Sequence, residues 1–244
     1  AEARDQVKSK VLMTLSSSEP RAGTVAAQVT AAIAAIELPR GMWPDLVSQL
    51  LAAIGDLHNP CQRQAALQAI GFTCEVVDPA VLAAQSNEIL TAVIQGARKE
   101  ETSPEVQLAA LRALLNSLEF VRLNFEREGE RNFIMQVVCE APQSPHVAVK
   151  VAAFENLVRI MQLYYDKMRF YMEQALFGLT VLGMRDAEPN VSLQAVEFWS
   201  TVCDEEIDRE YEVRLAAEYG EEPQVTSYYF ARIALPEIAP VLME

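Results

Sequence analysis

An alanine inside an apolar helical pattern recurs five times along this chain at nearly constant spacing, and in the first four copies it follows a second alanine. The five motifs centre on Ala27, Ala66, Ala110, Ala153 and Ala195. Successive centres are 39, 44, 43 and 42 positions apart, and a period of about 40 to 47 residues is typical of repeats built from two or three helices. The spacing therefore predicts stacked helical repeats, each too small to bury its apolar face alone.

A proline stands shortly before each motif and shares its period. Proline at the first helical position sacrifices no hydrogen bond and presets φ, and a preceding Asn or Ser can cap the free amides. We therefore expect the second helix of each pair, helix B, to begin at these prolines, with Asn59, Ser103 and Ser144 as caps. The prolines are Pro20, Pro60, Pro104, Pro145 and Pro189.

Amphipathic stretches between the B helices predict a first helix, helix A, for each pair. In one B helix, apolar residues at three- and four-residue spacing form a wide stripe that must stack on neighbouring helices. That stripe contains Leu108, Ala109, Leu111, Leu114, Leu115 and Leu118. The predicted A helices cover approximately residues 2–15, 43–56, 80–98, 130–141, 167–185 and 227–243.

These patterns predict an all-α fold, a right-handed α-solenoid of about five to six HEAT repeats made of antiparallel A/B helix pairs. We expect a single solenoid over residues 1–244, whose last repeat is truncated. The chain lacks an initiator Met and starts and stops within helical patterns, so we expect it to be cut from a longer protein. The approximate repeats are 1–38, 39–78, 79–124, 125–165, 166–208 and 209–244.

The charge balance argues against nucleic acid and anionic membranes as partners. The chain has 34 acidic and 20 basic residues, a net charge of −14, whereas phosphate binding needs clustered Lys and Arg. Its longest nearly apolar stretch, Val25 to Ile36, is shorter than the roughly 20 residues that span a bilayer. The four scattered cysteines predict reduced, buried thiols in an intracellular protein. They are Cys61, Cys74, Cys139 and Cys203.

Motifs for catalysis, cofactors or metals are missing from the sequence. Neither His58 nor His146 has a nucleophile or carboxylate arranged around it in a known pattern. His58 and Cys61 have the spacing of half a metal site, but no second pair accompanies them, and we expect a loop His followed by a core Cys. Nucleotide-binding loops and nucleophile elbows are absent too. We therefore expect no enzyme activity, no cofactor and no metal.

Two predicted A helices carry apolar stripes that are wider than one partner helix requires. One stripe includes Leu90 and Ile94, and the other begins with Phe133 and Ile134. Two explanations remain open from the pattern alone. Part of each stripe faces a shallow groove between neighbouring A helices, or all of it packs between those helices as core.

Two further groups of residues exceed what the repeat needs. The first is an aromatic group where one helix pair turns into the next, and core packing at this corner is favoured over a ligand pocket. The group consists of Tyr164, Tyr165, Phe170 and Tyr171. Residues 204–212 carry six acidic side chains and one base. Such a run is usually a solvated face, but it can also dock a basic partner, because complementary charge orients a complex.

Several of these stretches resemble the N-terminal half of the importin-β (karyopherin-β) family of HEAT-repeat nuclear transport receptors. The similar strings are long: Ser-Asn-Glu-Ile-Leu-Thr-Ala at 86–92 with Arg-Lys-Glu-Glu at 98–101, Leu-Leu-Asn-Ser-Leu-Glu-Phe at 114–120, Phe-Ile-Met-Gln-Val-Val-Cys-Glu-Ala at 133–141, and Glu-Phe-Trp-Ser at 197–200 with Val-Cys-Asp-Glu-Glu at 202–206. The resemblance implies a non-catalytic adaptor that carries cargo through nuclear pores, present in cytoplasm, nucleus and the nuclear pore complex.

The resemblance also implies binding residues. Grooves between A helices of the family bind FxFG repeats of nucleoporins, and the matching positions are Leu90, Thr91, Ile94, Glu130, Phe133 and Ile134. A second FxFG groove would involve Tyr171 and Leu179. The concave face, lined by B helices, would bind the GTP form of the GTPase Ran through Glu197 and Asp204, and the full-length protein would also bind import cargo or importin-α.

For this chain the resemblance implies retained nucleoporin binding, impaired Ran binding and no importin-α binding. The alternative is a HEAT scaffold or regulatory subunit outside transport, in which the same stripes are only core. Solvent exposure of Leu90, Ile94 and Phe133 discriminates between the two. Complete burial of all three without an adjoining cleft would favour the scaffold.

Overall fold

The computed structural model describes residues 2–243, which fall into two compact units with a boundary between Ala141 and Pro142. Within the described residues every regular element is helical. The all-α prediction is therefore confirmed. In the first unit each B helix packs on its own A helix, and successive B helices pack on one another.

The first unit contains three complete A/B pairs, followed by the A helix of a fourth. Helix α4 packs against α2, α3 and α7, so the B helices form a continuous layer. The helices are α1 (Glu2–Thr14), α2 (Pro20–Glu37), α3 (Leu46–Ile54), α4 (Pro60–Val76), α5 (Pro79–Leu82), α6 (Ser86–Ala97), α7 (Pro104–Ser117), α8 (Arg122–Glu126) and α9 (Glu128–Glu140).

Capping residues set the starts of these B helices. Asn59 Oδ1 accepts a hydrogen bond from the Gln62 amide at 3.0 Å, and Ser103 Oγ accepts one from the Val106 amide at 3.3 Å. Each cap satisfies an amide that has no partner within its helix. Both caps and the prolines that follow them stand where the sequence predicted them.

Small residues bring the B helices of the first unit close together. Ala66 and Ala110, two of the motif centres, are completely buried. A Cβ atom added at Gly71 would lie 3.0 Å from Ala113 Cα, so α4 and α7 approach each other backbone to backbone at this point. The repeated small residues thus permit the close stacking that the fold requires.

In the second unit, α10 packs on α13, and α12 packs on both α13 and α14. The helices are α10 (Val147–Tyr164), α11 (Arg169–Tyr171), α12 (Phe177–Met184), α13 (Pro189–Tyr219) and α14 (Phe230–Met243), with a π-helical turn at Met172–Leu176. The predicted boundary between the last two repeats, at 208/209, falls inside α13. This helix runs for 31 residues and ends before Gly220, whose φ of 70° is left-handed.

Two predicted helix starts in the second unit are wrong. Helix α10 begins at Val147, not at Pro145, because the Ser144 hydroxyl accepts from the His146 amide in a turn before the helix and caps nothing inside it. Helix α14 begins at Phe230, three residues later than predicted, because Tyr229 has a positive φ of 58° that no helix tolerates.

Among the described residues, Pro20–Arg40 is long and apolar enough to cross a membrane by length and composition. The apolar stretch that the sequence bounded at Val25 and Ile36 is thus part of a longer helix. Helix α2 packs against α1 and α4, and it buries the polar side chains of Thr30 and Glu37 as well as five small residues. A core helix of a soluble protein passes the same test of length and composition.

Candidate functional site

The two wide apolar stripes lie on α6 and α9, which contact each other in the first unit. Three of the six residues singled out from the sequence are buried: Leu90 is 6% exposed, and Ile94 and Ile134 are each 1% exposed. Phe133 is 43% exposed, Thr91 is exposed and Glu130 is half-buried. One half of the set is therefore core and the other half is accessible, so complete burial of Leu90, Ile94 and Phe133 is not observed. A groove between the two helices stays a prediction.

Helical spacing explains this division. On α9, Ile134, Val137 and Val138 occupy the buried face, while Phe133 lies at its border, one turn after Glu130. On α6, Leu90 and Ile94 lie one turn apart at the border of the buried face. The accessible residues therefore lie next to buried apolar positions on their own helices.

A polar bridge connects the N-terminal ends of the two helices. Asn124 on α8 donates through Nδ2 to Asn87 Oδ1 at 2.8 Å and to Glu130 Oε2 at 2.5 Å. Arg127 Nη1 donates to the other carboxylate oxygen of Glu130 at 2.8 Å. Hydrogen bonds from Arg127 and then Asn124 lower the pKa of Glu130, so the carboxylate is charged at neutral pH.

This arrangement suits a short extended peptide that carries an aromatic side chain. Phe133 is the exposed aromatic ring among the described residues of the first unit, and an accessible aromatic ring is a common contact for another ring. The carboxylate of Glu130 can accept a peptide N–H group. The surface holds no arrangement for covalent chemistry.

Sequence reasoning overlooked Asn124, which is 4% exposed and connects α6, α8 and α9. A signal for it exists. Asn124 stands between the apolar Leu123 and Phe125 in the short link between a B helix and the next A helix, and an amide side chain has to find partners when it is buried.

The second predicted groove involves Tyr171 and Leu179 in the second unit. Tyr171 is 8% exposed and its ring makes an edge contact with the exposed ring of Phe170, at 5.4 Å between centroids. Leu179 is half-buried on α12. The π-helical turn between them inserts one residue, so positions 171 and 179 fall on nearly the same face of the helix.

Corner packing accounts for most of the aromatic group. Tyr164, Tyr165 and Tyr171 are buried, and only Phe170 is exposed. A cavity of about 510 Å³ lies nearby, but its aromatic walls come from α12 and from residues 228–230, not from the four residues of that group. The predicted preference for packing over a pocket agrees with this placement.

The acidic run forms part of α13 and is not a mobile loop. Glu197 and Asp204 are exposed and stand seven residues apart, which places them on one face of the helix about 10 Å apart along its axis. Glu206 differs from its neighbours because it is buried, at 7% exposure. Only part of the acidic run is therefore available to a partner.

All four cysteines are free. Cys74 is buried, and burial raises the pKa of its thiol to about 12. Burial likewise raises the pKa of Cys139 to about 12, although this side chain is half-buried, as are Cys61 and Cys203. The expected burial of all four is thus met only at Cys74. Within residues 2–243 no group of three His, Cys, Asp or Glu side chains is placed to hold a metal ion.

Comparison with known proteins finds strong relatives of the whole chain. It is 56% identical over 243 residues to importin subunit beta-1 of Schizosaccharomyces pombe, and 47% identical over 244 residues to importin subunit beta-1 of Saccharomyces cerevisiae. The alignments cover 100% and 99% of the chain but 28% of each relative. No family model matches the chain.

Solved structures agree with the sequence relatives. A crystal structure of importin beta superimposes with a TM-score of 0.91 at 52% identity, over 99% of this chain and 28% of that protein. The Kap95:Nup1 complex gives a TM-score of 0.87 at 47% identity, and a structure of Kap95p bound to RanGDP gives 0.90 at 46%, each over 99% of this chain and 28% of Kap95.

The folds of these structures confirm the predicted solenoid of HEAT repeats. The chain matches the N-terminal part of its relatives and spans little more than a quarter of their length. In sequence and in fold, this chain belongs to the importin-β family.

Proposed function

We propose that this chain is a segment of a nuclear import receptor and that it binds FxFG repeats of nucleoporins on the surface between α6 and α9. The observation that carries the proposal is the exposed Phe133 ring beside the fixed carboxylate of Glu130. A relative of known structure, Kap95, forms a complex with the nucleoporin Nup1. The buried Leu90, Ile94 and Ile134 would then form the floor beneath the peptide.

Binding would depend on one phenylalanine ring of a disordered repeat. Burying such a ring contributes roughly 1.5–3 kcal/mol, and ordering the disordered segment offsets part of this. A single contact is therefore weak and short-lived. Several weak contacts on one receptor raise the overall affinity and still let each site release, which suits movement through a pore.

Phe133→Ala is the appropriate test of this surface, because the ring is exposed and its removal leaves the core intact. Ile94→Asp is less suitable, because it would place a charge at a position that is 1% exposed and would unfold the site.

The matched control for Phe133→Ala is Leu57→Ala, which removes another exposed apolar side chain of the same unit. We expect Phe133→Ala to weaken binding of an FxFG peptide in calorimetric titration by about tenfold or more. Equal affinities of wild type and Phe133→Ala would reject the assigned surface.

We further propose that Glu197 and Asp204 on α13 contact a basic surface of the GTPase Ran. Their exposure on one helix face supports this, and Kap95p, a relative, binds Ran. Complementary charge would speed association in a salt-dependent way. Asp204→Lys should slow association in surface plasmon resonance at low salt. Glu218→Lys changes another exposed acidic residue of α13, about four helical turns beyond Asp204, and should not slow it. Equal association rates for the two variants would refute this contact.

We propose that this chain has no catalytic activity and uses no cofactor or metal. We also propose that it is located in cytoplasm and nucleus and at the nuclear pore complex. Import cargo and importin-α are partners proposed for the longer receptor. A HEAT scaffold outside transport is the alternative. It predicts that neither Phe133→Ala nor Asp204→Lys changes the binding of any transport partner, because wild type would not bind them.

A further inference from the structure

We propose that Asn124 is a positioning residue of the α6/α9 surface: it holds the Glu130 carboxylate in the orientation that accepts a peptide N–H group. The inference rests on the proposed function. It adds a residue that lies beneath the surface and touches no ligand.

The hydrogen-bond geometry gives Asn124 a single orientation. Both of its partners, Asn87 Oδ1 at 2.8 Å and Glu130 Oε2 at 2.5 Å, are acceptors. The amide nitrogen, with its two hydrogens, must therefore face them, and the amide oxygen must face away. One side chain thus fixes the first turn of α6 and the first turn of α9 relative to each other.

Asn124 is itself anchored in the core. It lies on α8 next to Phe125, which is completely buried. Arg131 Nη1 on α9 donates to the Phe125 carbonyl oxygen at 2.5 Å and so ties α8 to α9 a second time. The amide of Asn124 is therefore presented to Glu130 by a helix that is itself held in place.

The other hydrogen-bond partner of Glu130, Arg127, is not held rigidly. The Arg127 side chain is 60% exposed, and an exposed ion pair restrains a carboxylate only weakly. Without Asn124, Glu130 would have to be ordered when the peptide binds, and ordering a side chain at an interface lowers affinity. Asn124 thus acts through Glu130 and not through contact with the peptide.

A double-mutant cycle tests this coupling in the whole chain. Titration of an FxFG peptide compares wild type, Asn124→Ala, Glu130→Ala and the double variant. We expect Asn124→Ala to weaken binding about fivefold, the effect of about one hydrogen bond, and to have no further effect once Glu130 is alanine. The control is Asn116→Ala, which removes a half-buried amide that bonds to Gly71 and Glu75 away from this surface.

A second measurement separates positioning from loss of stability. The carboxyl carbon of Glu130 is titrated by NMR in wild type, Asn124→Ala and Asn116→Ala. The pKa of Glu130 should rise in Asn124→Ala alone. If urea unfolding shows that Asn124→Ala does not fold, Asn124→Leu, which keeps the branched shape of the side chain but removes the donor and adds no charge, takes its place with the same expectations.

Two results would overturn the inference: wild-type affinity in a folded Asn124 variant, or a loss of equal size with and without Glu130. Neither result affects the proposed function if wild type binds the peptide and Phe133→Ala binds it more weakly. A wild type that fails to bind, by contrast, would reject both the proposed function and the role of Asn124.

Discussion

The hydroxyl of Tyr165 donates a hydrogen bond to Glu206 Oε1 at 2.7 Å inside the second unit. Glu206 also accepts from the amides of Phe230 and Ala231, at 2.5 and 3.1 Å, and therefore caps the N-terminus of α14 from a different helix. The Tyr228 amide in turn donates to the Tyr165 hydroxyl oxygen at 2.9 Å. One tyrosine and one carboxylate thus fasten residues 228–231 to α13.

Tyr165→Phe should destabilise the protein by about 1–3 kcal/mol, because it leaves the Tyr228 amide without its acceptor and removes a donor to a buried carboxylate. Burial, followed by the neighbouring Glu206, raises the pKa of Tyr165, so the hydroxyl remains a donor at neutral pH. Urea unfolding measures the change. Tyr219→Phe, which alters a ring that is 77% exposed, is the control and should leave the midpoint unchanged.

Glu206→Ala should loosen the start of α14, because two backbone amides lose their acceptor together. Hydrogen exchange at Phe230 and Ala231 should accelerate, while exchange at the buried centre of α10 stays slow. Glu210→Ala, an exposed acidic position one turn further along α13, provides the comparison. Unchanged protection at both amides in Glu206→Ala would contradict the capping role.

Gly183→Ala should destabilise the second unit by about 1–3 kcal/mol, because the added methyl group would overlap the ring of Phe154 and lie 3.0 Å from Ala195 Cβ. Gly178→Ala on the same helix places the methyl group where no atom lies within 4 Å. It should be neutral or stabilise by up to about 1 kcal/mol, since alanine favours helix. Thermal or urea unfolding should show that the two substitutions change the free energy of unfolding in opposite directions or by clearly different amounts.

The ion pair between Lys150 and Asp186 predicts a pH dependence of stability. A hydrogen bond from Lys150 at 2.7 Å, and then one from the Glu188 amide, lower the pKa of Asp186 below the ordinary value of 3.8. The stabilisation is therefore complete above that ordinary value and is lost as pH falls through the lower, folded pKa. Asp186→Asn should be less stable than wild type by a constant amount between about pH 5 and 7.

The difference in free energy of unfolding between wild type and Asp186→Asn should become smaller as the pH falls below 3.8. Urea unfolding at each pH measures this difference. Asp208→Asn changes an exposed carboxylate of the same unit and is the control. If the difference in stability between wild type and Asp186→Asn keeps its size at acid pH, the ionised carboxylate of Asp186 is not the source of the stabilisation.

The amino-acid sequence by itself determined the class of fold, because the repeat is a local property. Alanines at a period of about 42 residues, prolines at helix starts and caps such as Asn59 and Ser103 act within one or two turns of helix. The long strings between 86 and 206 also sufficed to assign the family.

Tertiary contacts decided which of those residues are accessible and which polar groups meet. Pattern alone could not separate buried Leu90 and Ile94 from exposed Phe133, since all lie on or beside apolar stripes and only the packed neighbour covers a stripe. Asn124 reaches Asn87 across 37 positions, and Glu206 caps α14 across 24. Partners so far apart in sequence are set by how whole helices stack, because no local rule specifies contacts between helices.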